Sequence, residues 1–267
     1  QVESAVVSGN RLSAVGDGAD GVRVAAQRAS DLTLRDNRIS ETDAGVGLYA
    51  RGENADRIRI DSNAVTESST GVRVRHRAEH YSQHLSMTIA DNTLSENDRR
   101  GVSVVAPSTR LRDLAVRGNN VSENGDAGLR FEGNVLSRLD VRDNRFEGND
   151  ADGVRFLADR FRNSTIRNNT LVRNRGDGLS ARTELVVHEV SVAENRVLDN
   201  AGVGLNVDNR LSHAGTVELS DNLVAANAYG IRVAGAFGGR ISNNTVVYNT
   251  YGLDAPVELP GYRPGTG

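Results

Sequence analysis

The chain has no cysteine, tryptophan or lysine, and among its 267 residues only one methionine and four prolines. Without cysteine there is no disulfide framework and no thiolate metal site. No apolar run approaches the ~18 residues that a membrane-spanning helix needs, so no membrane span is expected. No ten-residue window repeats apolar side chains at three- and four-residue spacing, which argues against amphipathic helices. A net charge of −3 argues against a bulk polycation, and nucleic acid is not an expected partner. With lysine absent, all 32 basic residues are arginine. Arginine offers a planar, two-pronged contact to carboxylate, sulfate or phosphate. No signal peptide opens the sequence and it begins within a repeat, as expected of a mature or excised fragment.

What is present is a repeat. An Asn followed two residues later by an apolar side chain occurs at Asn10, Asn37, Asn63, Asn92, Asn119, Asn144, Asn169, Asn195, Asn222 and Asn244. The steps run from 22 residues (Asn222 to Asn244) to 29 (Asn63 to Asn92). Each Asn is followed by a Gly that opens a short apolar stretch, as in Gly71 (GVRV), Gly128 (GLRF) and Gly230 (GIRV), with Gly47 (GLYA) in the second unit. In seven successive units a second Asn follows five places after the first, from Asn97 to Asn249. Before each Asn the residues alternate, as in Leu32 and Leu34 against Thr33 and Arg35. Such period-two alternation marks a strand with one buried face.

A unit of this length with three short strands cannot bury its apolar face alone, so the units must stack. The expected fold is all-β, a right-handed parallel β-helix of about ten coils over residues 1–254, with 255–267 an extended Pro/Gly-rich tail. Stacking turns equivalent positions into columns. The Asn column is expected to bond amide to amide and to corner carbonyls. The Gly column is expected to supply a tight or left-handed corner. Leu34, Ile60, Ile89, Val116, Val141, Ile166, Val192, Leu219 and Ile241, each three residues before a ladder Asn, should form one buried column.

The pattern xDNxI…N…DGVRV resembles the right-handed parallel β-helix repeats of the pectin-lyase-like superfamily over nearly the whole chain. The texture is nearest to carbohydrate-binding and sugar-hydrolase β-helices and to the mannuronan C5-epimerase β-helix. The periplasmic copper-accessory proteins of nitrous oxide reductase share the same repeat. The resemblance implies an extracellular, cell-surface or periplasmic protein acting on or binding polysaccharide. It does not extend to catalytic motifs: the epimerase Asp-Pro-His-Asp is missing, as are the lysines of calcium pectate lyases and the polygalacturonase set. For a copper site, soft Met ligands would be needed, and only Met87 exists.

Two groups of residues are candidates for function. Two places after each repeat Gly the side chain should point outward, giving Arg23, Tyr49, Arg73, Arg130, Arg155 and Arg232 among others. An outward Arg face of this kind suits an acidic polysaccharide, and that is the expected ligand. Ordinary solvated arginines neutralised by Asp and Glu are the alternative. The second group lies where the spacing lengthens after Gly71, in RHRAEHYSQH. It is expected to be a loop, and loops on rigid scaffolds carry much binding and catalysis. Arg75, His76, His80, Tyr81 and His84 are its candidate catalytic residues, with Arg neutralising a uronate and His or Tyr taking the C5 proton, as a lyase or epimerase requires. The same residues also suit a solvated polar loop, or His ligands for zinc.

No cofactor is expected. Corner residues such as Asp152 and Asp177 leave calcium as a weak candidate, but the nonapeptide calcium repeat is not matched. A solenoid has open ends, so end-to-end self-association, or a capping segment before Gln1, is a further expectation. With it comes a third reading, a structural rod of a fibre, appendage or viral tail spike.

Overall fold

The computed structural model describes residues 1–13, 18–52, 54–78, 83–209, 216–235 and 238–255. His80, Tyr81 and nearly all of the expected tail lie outside them. Among the described residues there is no helix. The strands form two parallel sheets, one of 17 strands and one of ten. The ten short strands, from Arg11–Ser13 to Thr245–Val247, supply one strand per repeat, so the chain winds as a right-handed β-solenoid. The large sheet carries the strands that precede each ladder Asn and those that follow each repeat Gly. In Val102–Arg117, Val154–Arg167 and Leu179–Ala193 the two are continuous.

Register is set by the apolar column. Leu34 pairs with Ile60, Ile60 with Ile89, Ile89 with Val116 and so on to Leu219 with Ile241. All are buried except Ile241, which is partly buried in the last coils. Phe131, Phe156 and Phe161 fill the middle of the core, with ring centroids 5.9 and 5.2 Å apart.

The Asn column does what its spacing implies. Each amide donates through Nδ2 to the Oδ1 of the Asn one coil on, at 2.9–3.0 Å from Asn10 through Asn244. The same Nδ2 also donates to corner carbonyls, Asn144 to Val116 O and Arg142 O for example. Buried backbone at the bend is thereby satisfied, which a carbon side chain could not do. A second ladder runs from Asn97 to Asn249. Thr42 and Ser68 extend it towards the N-terminus, their hydroxyls bonding each other and the Ser68 N–H donating to Asn97 Oδ1.

The glycines act differently from expectation. Gly21, Gly45, Gly71, Gly101 and Gly128 do not have positive φ; the left-handed corners are taken by the residue before each ladder Asn, such as Asp36 (φ 55), Asp91 (φ 54) and Asp143 (φ 59). A short polar side chain tolerates that conformation. The repeat Gly is required by space instead, since a Cβ on Gly128 would lie 2.8 Å from the carbonyl oxygen of Gly153. The second unit is also corrected. Val46 pairs with Val72 and Gly47 with Arg73, so Gly45 is the repeat glycine and Gly47 stands two places further along.

Candidate functional site

Register fixes which side chains share a column on the outward face. Arg23, Gly47, Arg73, Ser103, Arg130, Arg155, Ser180, Asn206 and Arg232 are successive partners. Because of the shift at Gly45, Tyr49 leaves this column and stands beside Ala25 and Arg75 in the next one. It reaches back nonetheless: the Arg23 guanidinium lies 4.3 Å from the Tyr49 ring centroid, and the Tyr49 hydroxyl donates to Asp20 at 3.3 Å. Gly47 makes this contact fit, as a Cβ there would lie 2.4 Å from Asp20 Oδ2.

The column is neutralised by carboxylates of the protein itself. Where a repeat Gly is preceded by Asp, the Arg three places after that Asp pairs with it: Arg23 with Asp20 at 3.2 Å and Arg155 with Asp152 at 2.6 Å. Thr70 and Ala127 hold the equivalent corners of Arg73 and Arg130. Arg73 therefore reaches to Asp43 of the neighbouring coil at 2.5 Å, and Arg130 pairs along its own strand with Glu132 at 2.5 Å. Arg232 stands 3.6 Å from Asp254. The Arg73 bond holds the Asp43 carboxyl below its ordinary range, and Arg75 and Arg99 add to the effect.

The extra segment after Gly71 is only partly a loop. Arg75 and His76 belong to the strand Thr70–Ala78 and face opposite ways. Arg75 is exposed, whereas His76 is buried with its Nδ1 2.8 Å from the Thr109 hydroxyl. His84 opens the next strand and contacts Asp56, Nε2 to Oδ1, at 2.8 Å. Arg75, His76 and His84 are thus not gathered into one constellation.

Instead the strand brings together arginines that the Arg column did not include. Arg51 pairs in register with Arg77, and Tyr49 with Arg75. Arg99 and Arg100 occupy the corner before Gly101, where no other coil carries a cation; that doubled Arg was the readable signal. On the coil beyond, Ser103 stands opposite Arg73 and Val105 opposite Arg75. Short side chains over long ones leave a trough along the strand Val102–Arg117. Its hollow, about 280 Å³, is lined by Arg73, Arg75, Arg77, Arg99, Arg100 and Ser103 among others. A second hollow of about 470 Å³ lies on the other side of Arg75 and Arg77, reaching Arg23, Tyr49 and Arg51. A larger hollow, about 580 Å³, lies elsewhere and carries charges of both signs, Glu189, Glu218 and Arg240.

Charge at the trough does not cancel. Arg23, Arg73, Arg100 and Arg130 have carboxylate partners, Arg100 through Asp126 at 2.7 Å. Among the described residues no ion pair joins Arg51, Arg75, Arg77 or Arg99 to another side chain. Around the trough and the adjoining hollow, eight guanidiniums less four carboxylate partners leaves four positive charges among the described residues, in a chain whose net charge is −3. Burial, with Arg130 and Arg99 nearby, pushes the Arg100 guanidinium below its ordinary value; it stays charged at any practical pH. The Nε atoms of Arg100 and Arg130 are buried without a hydrogen-bond partner.

Two families match the sequence. Residues 20–185 match the family described as right handed beta helix region, and residues 119–255 the one described as periplasmic copper-binding protein (NosD). Each span covers more than half of the chain, which belongs to the right-handed β-helix family and, over its C-terminal half, to NosD. No curated protein and no solved structure matches it significantly. The periplasmic setting in the NosD description is consistent with an extracellular or periplasmic β-helix protein. Copper does not fit the residues present. Cysteine is absent, Met87 is buried in the apolar core, and among the described residues no three His, Asp or Glu converge as a metal group. Soft thiolate or thioether ligands are what a copper(I) site selects.

Proposed function

We propose that this periplasmic or surface β-helix binds an acidic polysaccharide in the trough over Val102–Arg117. The observation that carries the reading is the set of guanidiniums Arg75, Arg77 and Arg99, which have no ion pair among the described residues, beside a floor of short side chains, with Arg51 next to them across the adjoining hollow. The trough is bounded by strands one coil to either side, roughly 10 Å apart at the usual strand spacing, which is room for one extended polymer chain. Alternate residues on one strand are ~7 Å apart, so Arg75 and Arg77 present charge at that interval along it. Long-range attraction of this sort weakens with salt.

The test is affinity electrophoresis through gels containing polygalacturonate or alginate, with a neutral glucan as control. Retardation by the acidic polymers alone, lost in the Arg75→Gln/Arg77→Gln/Arg99→Gln variant, supports the reading. Equal mobility of the variant and the parent protein removes it.

A further inference from the structure

The trough differs from the forked arginine sites of this surface in the direction from which its donors arrive. At those sites one guanidinium meets a carboxylate edge-on: Arg57 donates through Nε and Nη2 to both oxygens of Asp31 at 2.5 and 2.6 Å, and Arg138 does the same to Asp113 at 2.5 and 2.7 Å. Such a fork matches the single plane of a carboxylate. In the trough Arg75 and Arg77 rise from one strand, Arg99 and Arg100 project from the corner, and the Ser103 hydroxyl lies on the floor. Donors converging from three sides match an anion whose oxygens also point in several directions.

We propose that the trough holds a tetrahedral oxyanion ester of the glycan, a sulfate or phosphate group, in preference to a uronate carboxylate. This rests on the binding function proposed above and names its ligand class. Three terminal oxygens spread over a tetrahedron can accept from Arg75, Arg99 and Arg100 on different sides, whereas the acceptor sites of a carboxylate lie in one plane. The hydroxyl of Ser103 supplies a short neutral donor that a tetrahedral group can reach while its oxygens remain on the guanidiniums.

Affinity electrophoresis through dextran sulfate, phosphorylated dextran and polygalacturonate, matched for charge density and ionic strength, separates the possibilities. We expect dextran sulfate or phosphorylated dextran to bind about tenfold more tightly than polygalacturonate, one extra charge-assisted hydrogen bond's worth. The preference should fall to near unity in Arg99→Gln and in Arg100→Gln, with circular dichroism unchanged. A phosphate monoester titrates near pH 6, so tightening between pH 5 and 7 marks phosphate as the group held, and pH-independent binding marks sulfate. Equal affinity for all three polymers overturns the ester preference and leaves the binding function standing. No retardation by any of them overturns both.

Discussion

Two stretches of one sheet face share a repeat and a core, yet differ in what their arginines can do. Over the strands Leu129–Ser137 and Val154–Arg167, Arg130 and Arg155 are held by Glu132 and Asp152. One coil further, Asp177 accepts from Asn206 Nδ2 at 2.8 Å and from the Val203 N–H at 2.8 Å. Over Ala44–Gly52, Thr70–Ala78 and Val102–Arg117 the residues before Gly71 and Gly101 are not acidic, and Arg99 and Arg100 stand at the second of these corners. A guanidinium saturated by its own protein is a structural strut, whereas one without a partner is a recognition element. The proposed site therefore follows from the carboxylates within reach rather than from the number of arginines.

If the two stretches differ only at the surface, their shared scaffold should respond alike. Truncating Ile60 or Ile89 beneath the open stretch, or Ile166 beneath the closed one, should cost ~2–5 kcal/mol each, as stacked buried aliphatics do. Urea melts check this. A loss beneath one stretch and none beneath the other would show that the difference reaches the core. Asn144→Ala should come next, at about 1–3 kcal/mol, because it strands the Oδ1 and carbonyl partners of a buried amide.

The comparison is sharpest in binding. Arg75→Gln/Arg77→Gln/Arg99→Gln should weaken retention on an anionic polymer by roughly 10–100-fold. Arg130→Gln/Arg155→Gln/Arg232→Gln removes as many charges and should change it by less than about threefold, since those charges are already met. Equal losses from the two triples would mean that net charge alone governs retention.

How far the sequence disclosed all this follows from where each partner lies. The Asn ladder, the buried Leu34-to-Ile241 column and the strand order were legible because each is a repeat of itself at a fixed step. The register of the second unit was not. GVGLYA contains two glycines two apart, and either can be aligned with GVRV; only the space beneath Gly45, where Val65 approaches from the short strand, decides. Arg73 looked like its column mates, but its partner Asp43 lies 30 residues earlier and meets it only through coil stacking. His76 looked exposed by its polar neighbours, yet strand alternation, obscured by the longer spacing, turns it inward. Arg99 and Arg100 were visible as two cations at a corner that elsewhere carries none, a departure that column counting passed over.

The smallest expected effect concerns acid, and it has opposite signs in the two stretches. Asp43, beside Arg73, has its carboxyl held below the ordinary 3.8, with the Arg73 hydrogen bond the main cause. A depressed carboxylate contributes stability that is fully present above the ordinary value and is lost as pH falls through the folded-state value. Asp177 is the reverse. Burial raises its carboxyl above 3.8, against the Asn206 and Val203 hydrogen bonds that favour the charged form. Its folded state binds the proton more readily than the unfolded chain, so it contributes a penalty that is absent below pH 3.8 and grows as pH rises to the folded-state value. Asp43→Asn should therefore lower the melting temperature at pH 7 and flatten its fall below pH 4. Asp177→Asn can keep the Val203 bond through its carbonyl oxygen, while the Asn206 amide can turn to accept. It should leave the melting temperature at pH 7 within about 2 °C of the parent, less than 1 kcal/mol for a domain of this size. A fall as large as that of Asp43→Asn would show that the Asp177 charge is a strut like the paired carboxylates around it, and the contrast between the stretches would then rest on arginine alone.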